Sequence, residues 1–230
     1  MIAMRRRGAE FLFLLVLTIL FAWFAYNVHA NLTVQGISSG FGFLSSTAGF
    51  GIISHLIAWD ETSTYGRALV VGLLNTLLVS TLGIVLTTVL GVLVGIARLS
   101  SNWLVSTVAG SFVELMRNLP LLLVIFFLYF GLLRLLPSPQ ESLGLFDIVW
   151  LNNRGLYVPW LSLTGDSPGF SVPVLDGFDF TGGLVVTPEF LALLGALTIY
   201  TAGFVAEIVR GGIMAVAKGQ TEAALALGLS

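Results

Sequence analysis

The sequence predicts an all-α membrane protein, a polytopic helical bundle interrupted by one polar excursion. Three observations predict it. The 230 residues are 57% hydrophobic and only 10% charged, with a mean hydropathy of +0.98; a soluble domain carries about 25% charge. Four apolar stretches are each long enough to cross a hydrocarbon core of roughly 30 Å. The charges are biased by side: Arg98, Arg117, Arg210 and Lys218 fall on the inner side, while Asp60, Glu61, Glu141 and the aspartates of the insertion fall outside together with Arg67, Arg134 and Arg154. This is a basic bias inside and an acidic bias outside, as insertion prefers.

Composition also excludes whole classes of function. A pI near 5.6, with Arg5-Arg6-Arg7 as the only basic cluster, excludes a nucleic-acid binder. The absence of cysteine removes disulfides, thiol catalysis and Cys-ligated metals. His29 and His55 stand far apart, without metal-ligand spacing. The single lysine, Lys218, is followed by Gly219, and no phosphate-cradling Gly-x-x-x-x-Gly-Lys-Ser/Thr occurs. The expectation is a non-enzymatic chain with no cofactor and no metal, any nucleotide hydrolysis belonging to another chain.

Residues 1–10 carry the three arginines that hold the N-terminus in the cytoplasm, and 11–28 form the first span. A signal peptide ending at Val28-His29-Ala30 is the alternative, but the apolar stretch exceeds a usual signal core. Residues 29–67 form an external or interfacial segment. Its apolar part, 40–59, is not read as a span because of Gly40, Gly42, Gly49, Gly51 and His55, and because a span there would invert everything after it.

Residues 68–97 are the second span, too long to stand perpendicular. Gly72, Thr76, Ser80, Gly83, Thr87 and Gly91 repeat at spacings of three or four, which confines them to about 100° of a helix surface; Gly91 and Gly95 add a Gly-x-x-x-Gly. Such a stripe serves close helix packing or lines a pathway, with Asn75 the most polar candidate for the latter. Residues 98–118 are a cytoplasmic loop and boundary helix in which Glu114 and Arg117 are spaced to pair. Residues 119–136 make the third crossing.

Residues 137–187 hold most of the prolines together with Asp147, Asp166, Asp176 and Asp179. They read as an external insertion with turns at Pro137-Ser138-Pro139, Gly165-Asp166 and Ser167-Pro168-Gly169, and short strands near Phe170–Leu175 and Leu184–Val186. Pro188 opens the last span, 188–210, in the helical position proline suits best; Gly211 and Gly212 are expected to loosen the helix before it continues to Ala217. Glu207 is the one acidic residue clearly within a span. An intramembrane carboxylate is functional by default, although Arg210, three residues on, offers a plain boundary pair.

Residues 211–230 end in Gly219-Gln220-Thr221-Glu222-Ala223-Ala224-Leu225-Ala226-Leu227-Gly228. Thr221 is placed to cap a short helix with Glu222 in its first turn, and Ala223, Ala224 and Gly228 leave a low-relief face that another protein can approach. Glu222-Ala223-Ala224, three residues, then Gly228 resembles the EAA loop of the membrane subunits of ATP-binding-cassette importers. Tyr200 through Ile213 is similar to the polar amino acid branch of that family. Leu151-Asn152-Asn153-Arg154-Gly155-Leu156-Tyr157 and Gly40-Phe41-Gly42-Phe43-Leu44 resemble its general L-amino acid permeases.

There are departures. The family motif runs on to a Leu-Pro, whereas this sequence stops at Ser230, so it reads as an N-terminal fragment lacking two further spans. Arg117-Asn118-Leu119-Pro120-Leu121 stands where relatives show Arg-Gly-Thr-Pro-Leu, and the insertion lacks the extra spans of longer relatives. The resemblance implies a bundle of the ABC importer permease type with a periplasmic insertion. It further implies a subunit of an ATP-driven amino acid importer in the bacterial inner membrane, with the N-terminus in the cytoplasm.

Implied partners are an ABC ATPase subunit, a second homologous permease subunit, a periplasmic amino-acid-binding protein and membrane lipid. Glu207 would attract the α-ammonium of the substrate, with Tyr200, Thr201 and Asn75 as further contacts. Gly219, Glu222, Ala223, Ala224 and Gly228 would couple to the ATPase. Two alternatives are an ion-coupled secondary transporter, which needs more intramembrane carboxylates and an internal repeat, and a purely structural membrane subunit.

Overall fold

A computed structural model describes residues 2–36, 40–162 and 169–228. The turns expected at 165–168 lie outside these residues, as do the side chains of Arg5-Arg6-Arg7 and Thr221. The chain falls into two units, Met1–Asn75 and Thr76–Ser230. Among the described residues, Glu10–Val34, Tyr65–Ala97 and Pro188–Met214 are helices long and apolar enough to cross a membrane.

The first unit begins with helix α1, Ile2–Val34. From Glu10 onward its side chains are almost all exposed, which suits a helix surrounded by lipid. Its polar side chains fold back on their own helix: Thr18 donates to the Leu14 carbonyl, Asn27 to Trp23, Asn31 to Asn27 and Thr33 to His29. Each such bond satisfies a group that hydrocarbon cannot.

Residues 40–59 contain only one helical turn, Gly42–Ser45. Phe43, Phe50, Trp59 and Tyr65 cluster there as ring pairs with centroids 5.7–6.2 Å apart. The Asp60 carboxylate accepts from the Thr62 amide and from the Thr62 and Ser63 hydroxyls, closing the loop before helix α2, Tyr65–Ala97. Arg67 donates to the Ala58 carbonyl and Asn75 to the Ser54 carbonyl, both at 2.7 Å, tying this loop to the start of α2.

In the second unit, Asn102 caps helix α3, Trp103–Asn118, by accepting from the Leu104 and Val105 amides. Leu119 and Pro120 are extended, and helix α4 starts at Leu121 and runs to Phe126. It continues as a π-turn segment to Leu132 and a 3-10 turn to Leu135. The helices before and after Pro120 are bent by 109°, because proline lacks the amide that would bridge the turn and drives the preceding residue out of the helical region. Among the described residues no ion pair joins Glu114 to Arg117; the Arg117 guanidinium lies over the Phe204 ring instead, 6.0 Å from its centre.

The insertion is built of short strands: β1 Leu143–Leu145, β2 Val149–Asn152, β3 Gly155–Val158, β4 Trp160–Ser162, β5 Gly169–Ser171, β6 Val174–Asp176, β7 Asp179–Thr181 and β8 Leu184–Val186. Antiparallel pairing gives one sheet in the order β1-β2-β3-β8 and two hairpins, β4-β5 and β6-β7. The strand expected over Phe170–Leu175 is therefore two, divided at Val172-Pro173, since proline has no amide for a ladder. Gly155 turns β2 into β3 at φ +136°, where a Cβ would stand 2.3 Å from the Val186 carbonyl oxygen. Asn152 is fully buried and donates to the Ser142 hydroxyl, while its own carbonyl oxygen accepts from the Arg154 amide.

Helix α5, Pro188–Met214, is capped by Thr187, with Pro188 in its first turn. It runs through Gly211-Gly212 without a break and ends at Met214, correcting the expected loosening and the continuation to Ala217. Helix α6, Lys218–Ala226, follows with Ala217 in the cap position. The helix thus opens earlier than expected: Thr221 is not its cap, and Glu222 lies beyond its first turn. The reason is the extended backbone of Ala217, φ −63° and ψ 136°, which ends the linker and lets Lys218 begin the helix. Gly228, at φ +74°, terminates α6 in the left-handed conformation that glycine tolerates.

Candidate functional site

The site grows from how closely α5 is approached by its neighbours. From Gly83 onward, α2 meets α5 with a constant offset. A Cβ on Gly83 would touch Leu194 at 3.9 Å, and Thr87 donates to the Thr198 carbonyl, 111 positions on, at 3.4 Å. A Cβ on Gly91 would lie 3.3 Å from the Ala202 carbonyl oxygen and 2.5 Å from Val205, and one on Gly95 would lie 2.8 Å from the Ala206 carbonyl oxygen. Equal steps in the same direction mean that these helices run parallel. Gly83, Thr87, Gly91 and Gly95 are buried, while Gly72, Thr76 and Ser80 are exposed. The C-terminal half of the stripe is thus a packing face, built of small residues because backbones must meet.

Another face of α5 receives α3. Gly203 lies under Met116, whose Cβ would be 3.0 Å from an added Cβ, and Ala109, Val113 and Met116 are the buried residues of α3. Ala192, Ala196, Ala202 and Ala206 on α5 are essentially buried throughout. Small residues on two faces make α5 the helix around which the second unit assembles.

This packing delivers a charged cluster to the end of α2. Arg98 follows the last residue of α2 and donates through Nη1 to Glu207 Oε2. Arg210 donates through Nη2 to Oε1 at 2.5 Å and through Nε to Oε2 at 3.2 Å. The side chains of Arg98, Glu207 and Arg210 are 19%, 28% and 29% exposed, so all three are substantially withdrawn from the surface. The Arg98 backbone carbonyl accepts from the Ser106 hydroxyl at 3.0 Å, and Gly110 of α3 leaves room beside Arg98 Nε, 3.9 Å from where a Cβ would stand.

The Glu207–Arg210 spacing was readable in the sequence; Arg98 was missed, since it sits 109 positions away. The signal that could have found it was the Gly91/Gly95 pair, which forces the end of α2 against α5.

The other expected residues are distributed unevenly. Tyr200 lies two turns before Glu207 on the same helix and packs against Phe204, ring centres 5.2 Å apart and planes tilted by 54°. Thr201 is exposed. Asn75 belongs to the first unit and donates its amide to Ser54 there. Gly219, Glu222, Ala223 and Gly228 are exposed and Ala224 is half-buried, on or just after α6. Among the described residues no group of three His, Asp or Glu side chains is placed to hold a metal ion.

Residues 87–230, from the packed half of α2 through α6, match the model of the binding-protein-dependent transport system inner membrane component. The chain belongs to this family. It is 41% identical to a putative amino-acid ABC transporter permease protein of Escherichia coli, over 90% of this chain and 67% of that protein. It is 43% identical to a general L-amino acid transport system permease protein of Rhizobium johnstonii, over 90% of this chain and 66% of the relative. The chain thus spans about two thirds of the length of the curated relatives it matches. A crystal structure of an amino acid ABC transporter with histidines aligns at 26% identity and a TM-score of 0.47, over 72% of this chain and 55% of that one.

The chain is a membrane-embedded permease component of the ABC importer type, and the relatives are permeases rather than enzymes. The ion-coupled and purely structural alternatives are not favoured.

Proposed function

We propose that this permease carries amino acids across the bacterial inner membrane, driven by a separate ATPase that grips α6. The observation that carries the reading is α6 itself: a nine-residue helix rich in small residues, its described side chains exposed except for the half-buried Ala224, joined to the end of α5 by three residues. A push on so short a linker reaches α5, and through its two small-residue faces reaches α2 and α3. The relatives' names supply the substrate class, amino acids. The remaining partners on this reading are a second homologous permease, a periplasmic amino-acid-binding protein and the surrounding lipid.

The same reading places the N-terminus and α6 in the cytoplasm, with crossings near 11–28, 68–97, 119–136 and 188–210. The parallel course of α5 and the C-terminal half of α2 supports it, because the residues between two parallel spans must make one net crossing. Glu207 is the acceptor for the substrate ammonium, with Tyr200 and Thr201 on the same helix as further polar contacts.

Two measurements test the reading. A cysteine at Ala224 should crosslink to the ATPase subunit in membranes; failure at this position and at its neighbours Ala223 and Leu225 removes the coupling role. Glu207→Gln should weaken amino acid binding to the assembled transporter, and unchanged affinity takes Glu207 out of the site.

A further inference from the structure

Glu207 has two carboxylate oxygens, and both are occupied, but by arginines of different kinds. Arg210 rides on the same helix three residues on and holds both oxygens; this pair travels with α5 whatever the neighbouring helices do. Arg98 comes from beyond the end of α2 and holds only Oε2. Its side chain passes beside Gly110, where an added Cβ would stand 3.9 Å from Arg98 Nε.

The charge count separates them as well. Glu207 and Arg210 together are neutral, so Arg98 is a surplus cation; Arg117 also acts on the carboxylate through space, but of these two only Arg98 is bonded to it. A second cation brought to Oε2 would face Arg98 at close range in a setting that screens charge poorly. One cation must leave for the other to bind.

We propose that Arg98 is the built-in competitor for the substrate's ammonium group: it occupies Glu207 Oε2 when no amino acid is bound and is displaced when one arrives. The inference rests on the reading that Glu207 faces the substrate. Arg98 is then a specificity-determining residue, because only a ligand bearing a cation can take over the oxygen that Arg98 gives up. It also lowers apparent affinity, since the binding-competent form is only the fraction in which Arg98 has let go. An importer gains from such an arrangement, because a site that binds too tightly releases slowly.

The test is equilibrium binding of a tritiated mixture of the protein amino acids to the permease assembled with its ATPase in nanodiscs. Wild type is compared with Arg98→Gln, Arg98→Lys and Glu207→Gln. Arg98→Gln should bind about tenfold tighter, Arg98→Lys should fall between it and wild type, and Glu207→Gln should bind more weakly. Tighter binding is not what loss of a merely structural residue produces.

If Arg98→Gln binds no tighter than wild type while Glu207→Gln weakens binding, the competitor role is overturned and the Glu207 site stands. If Glu207→Gln leaves binding unchanged, both fall. Should Arg98→Gln fail to assemble, Arg98→Lys decides alone: binding equal to or weaker than wild type overturns the inference.

Discussion

Gly95 lies so close to Ala206 that a Cβ on the glycine would stand 2.8 Å from the alanine's carbonyl oxygen and 2.9 Å from Val209 Cβ. Backbone meets backbone here, three residues before Arg98. A valine at position 95 would force the two helices apart, at a cost of about 1–3 kcal/mol for overpacking. It would also withdraw Arg98 from Glu207. The expected outcome is a lower unfolding temperature in detergent for Gly95→Val, with Gly72→Val near wild type, because nothing lies within 4 Å of a Cβ at Gly72.

Within the cluster the two charges are not equivalent. Glu207→Gln leaves two arginines, each largely withdrawn from the surface, facing one another, whereas Arg98→Gln leaves the neutral Glu207–Arg210 pair intact. Charged hydrogen bonds lost in this way cost about 1.5–3 kcal/mol. Thermal unfolding of the two variants should therefore rank Glu207→Gln as the less stable; the reverse order would mean that Arg210 does not hold the carboxylate alone.

The insertion has its own polar anchor, with a predictable pH window. Asp179 accepts from the Tyr157 hydroxyl at 2.7 Å, from its neighbour's amide at Phe180 and from Arg154 at 2.5 Å. Partial burial alone would raise the Asp179 carboxyl, but these bonds and the Arg154 charge outweigh it and hold it below its ordinary value. Burial, then the bond to Asp179, pushes the Tyr157 phenol up to about 12.

A depressed carboxyl stabilises the fold above its unfolded value, about 3.9, and loses that contribution as pH falls through the folded value. A raised phenol stabilises fully below about 10, its unfolded value, and the contribution is lost as pH rises toward 12. Near-ultraviolet circular dichroism, sensitive to Trp150 and Tyr157 stacked on Phe180, should hold steady between these limits. In Asp179→Asn the acid-side transition should shrink.

Gly155 offers a sharper test of the sheet. At φ +136°, with the Val186 carbonyl oxygen 2.3 Å from where a Cβ would be, Gly155→Ala incurs backbone strain of about 1–3 kcal/mol and a clash as well. Protease sensitivity within 143–186 should rise in this variant while the helices remain resistant. Gly177→Ala, at a hairpin tip with open space around it, should be milder.

Coupling can be probed separately from binding. Among the described side chains of α6, Ala224 is half-buried and the others are exposed. A tryptophan there destroys the low relief of the helix. Uptake by the assembled transporter should be nearly abolished in Ala224→Trp, with amino acid binding in nanodiscs retained; normal uptake would show that this face is not gripped.

Much of the architecture is written in local patterns. Apolar runs as long as a bilayer is thick, Pro188 at a helix start, and glycines and threonines recurring every three or four residues each follow from the chemistry of a few neighbouring residues. So do the Glu207–Arg210 spacing and the small-residue tail at 219–228. Local reading failed at the cap of α6, where Ala217 and not Thr221 precedes the helix, because an extended backbone outweighed a favourable side chain.

What needed the folded chain were relationships between distant residues. Which half of the glycine stripe is buried, that Arg98 completes the Glu207 cluster, and that β3 pairs with β8 all depend on partners from about 26 to 111 positions apart. Periodicity tells a residue which face of its own helix it occupies. Only packing, where backbones approach within contact distance, determines what that face meets.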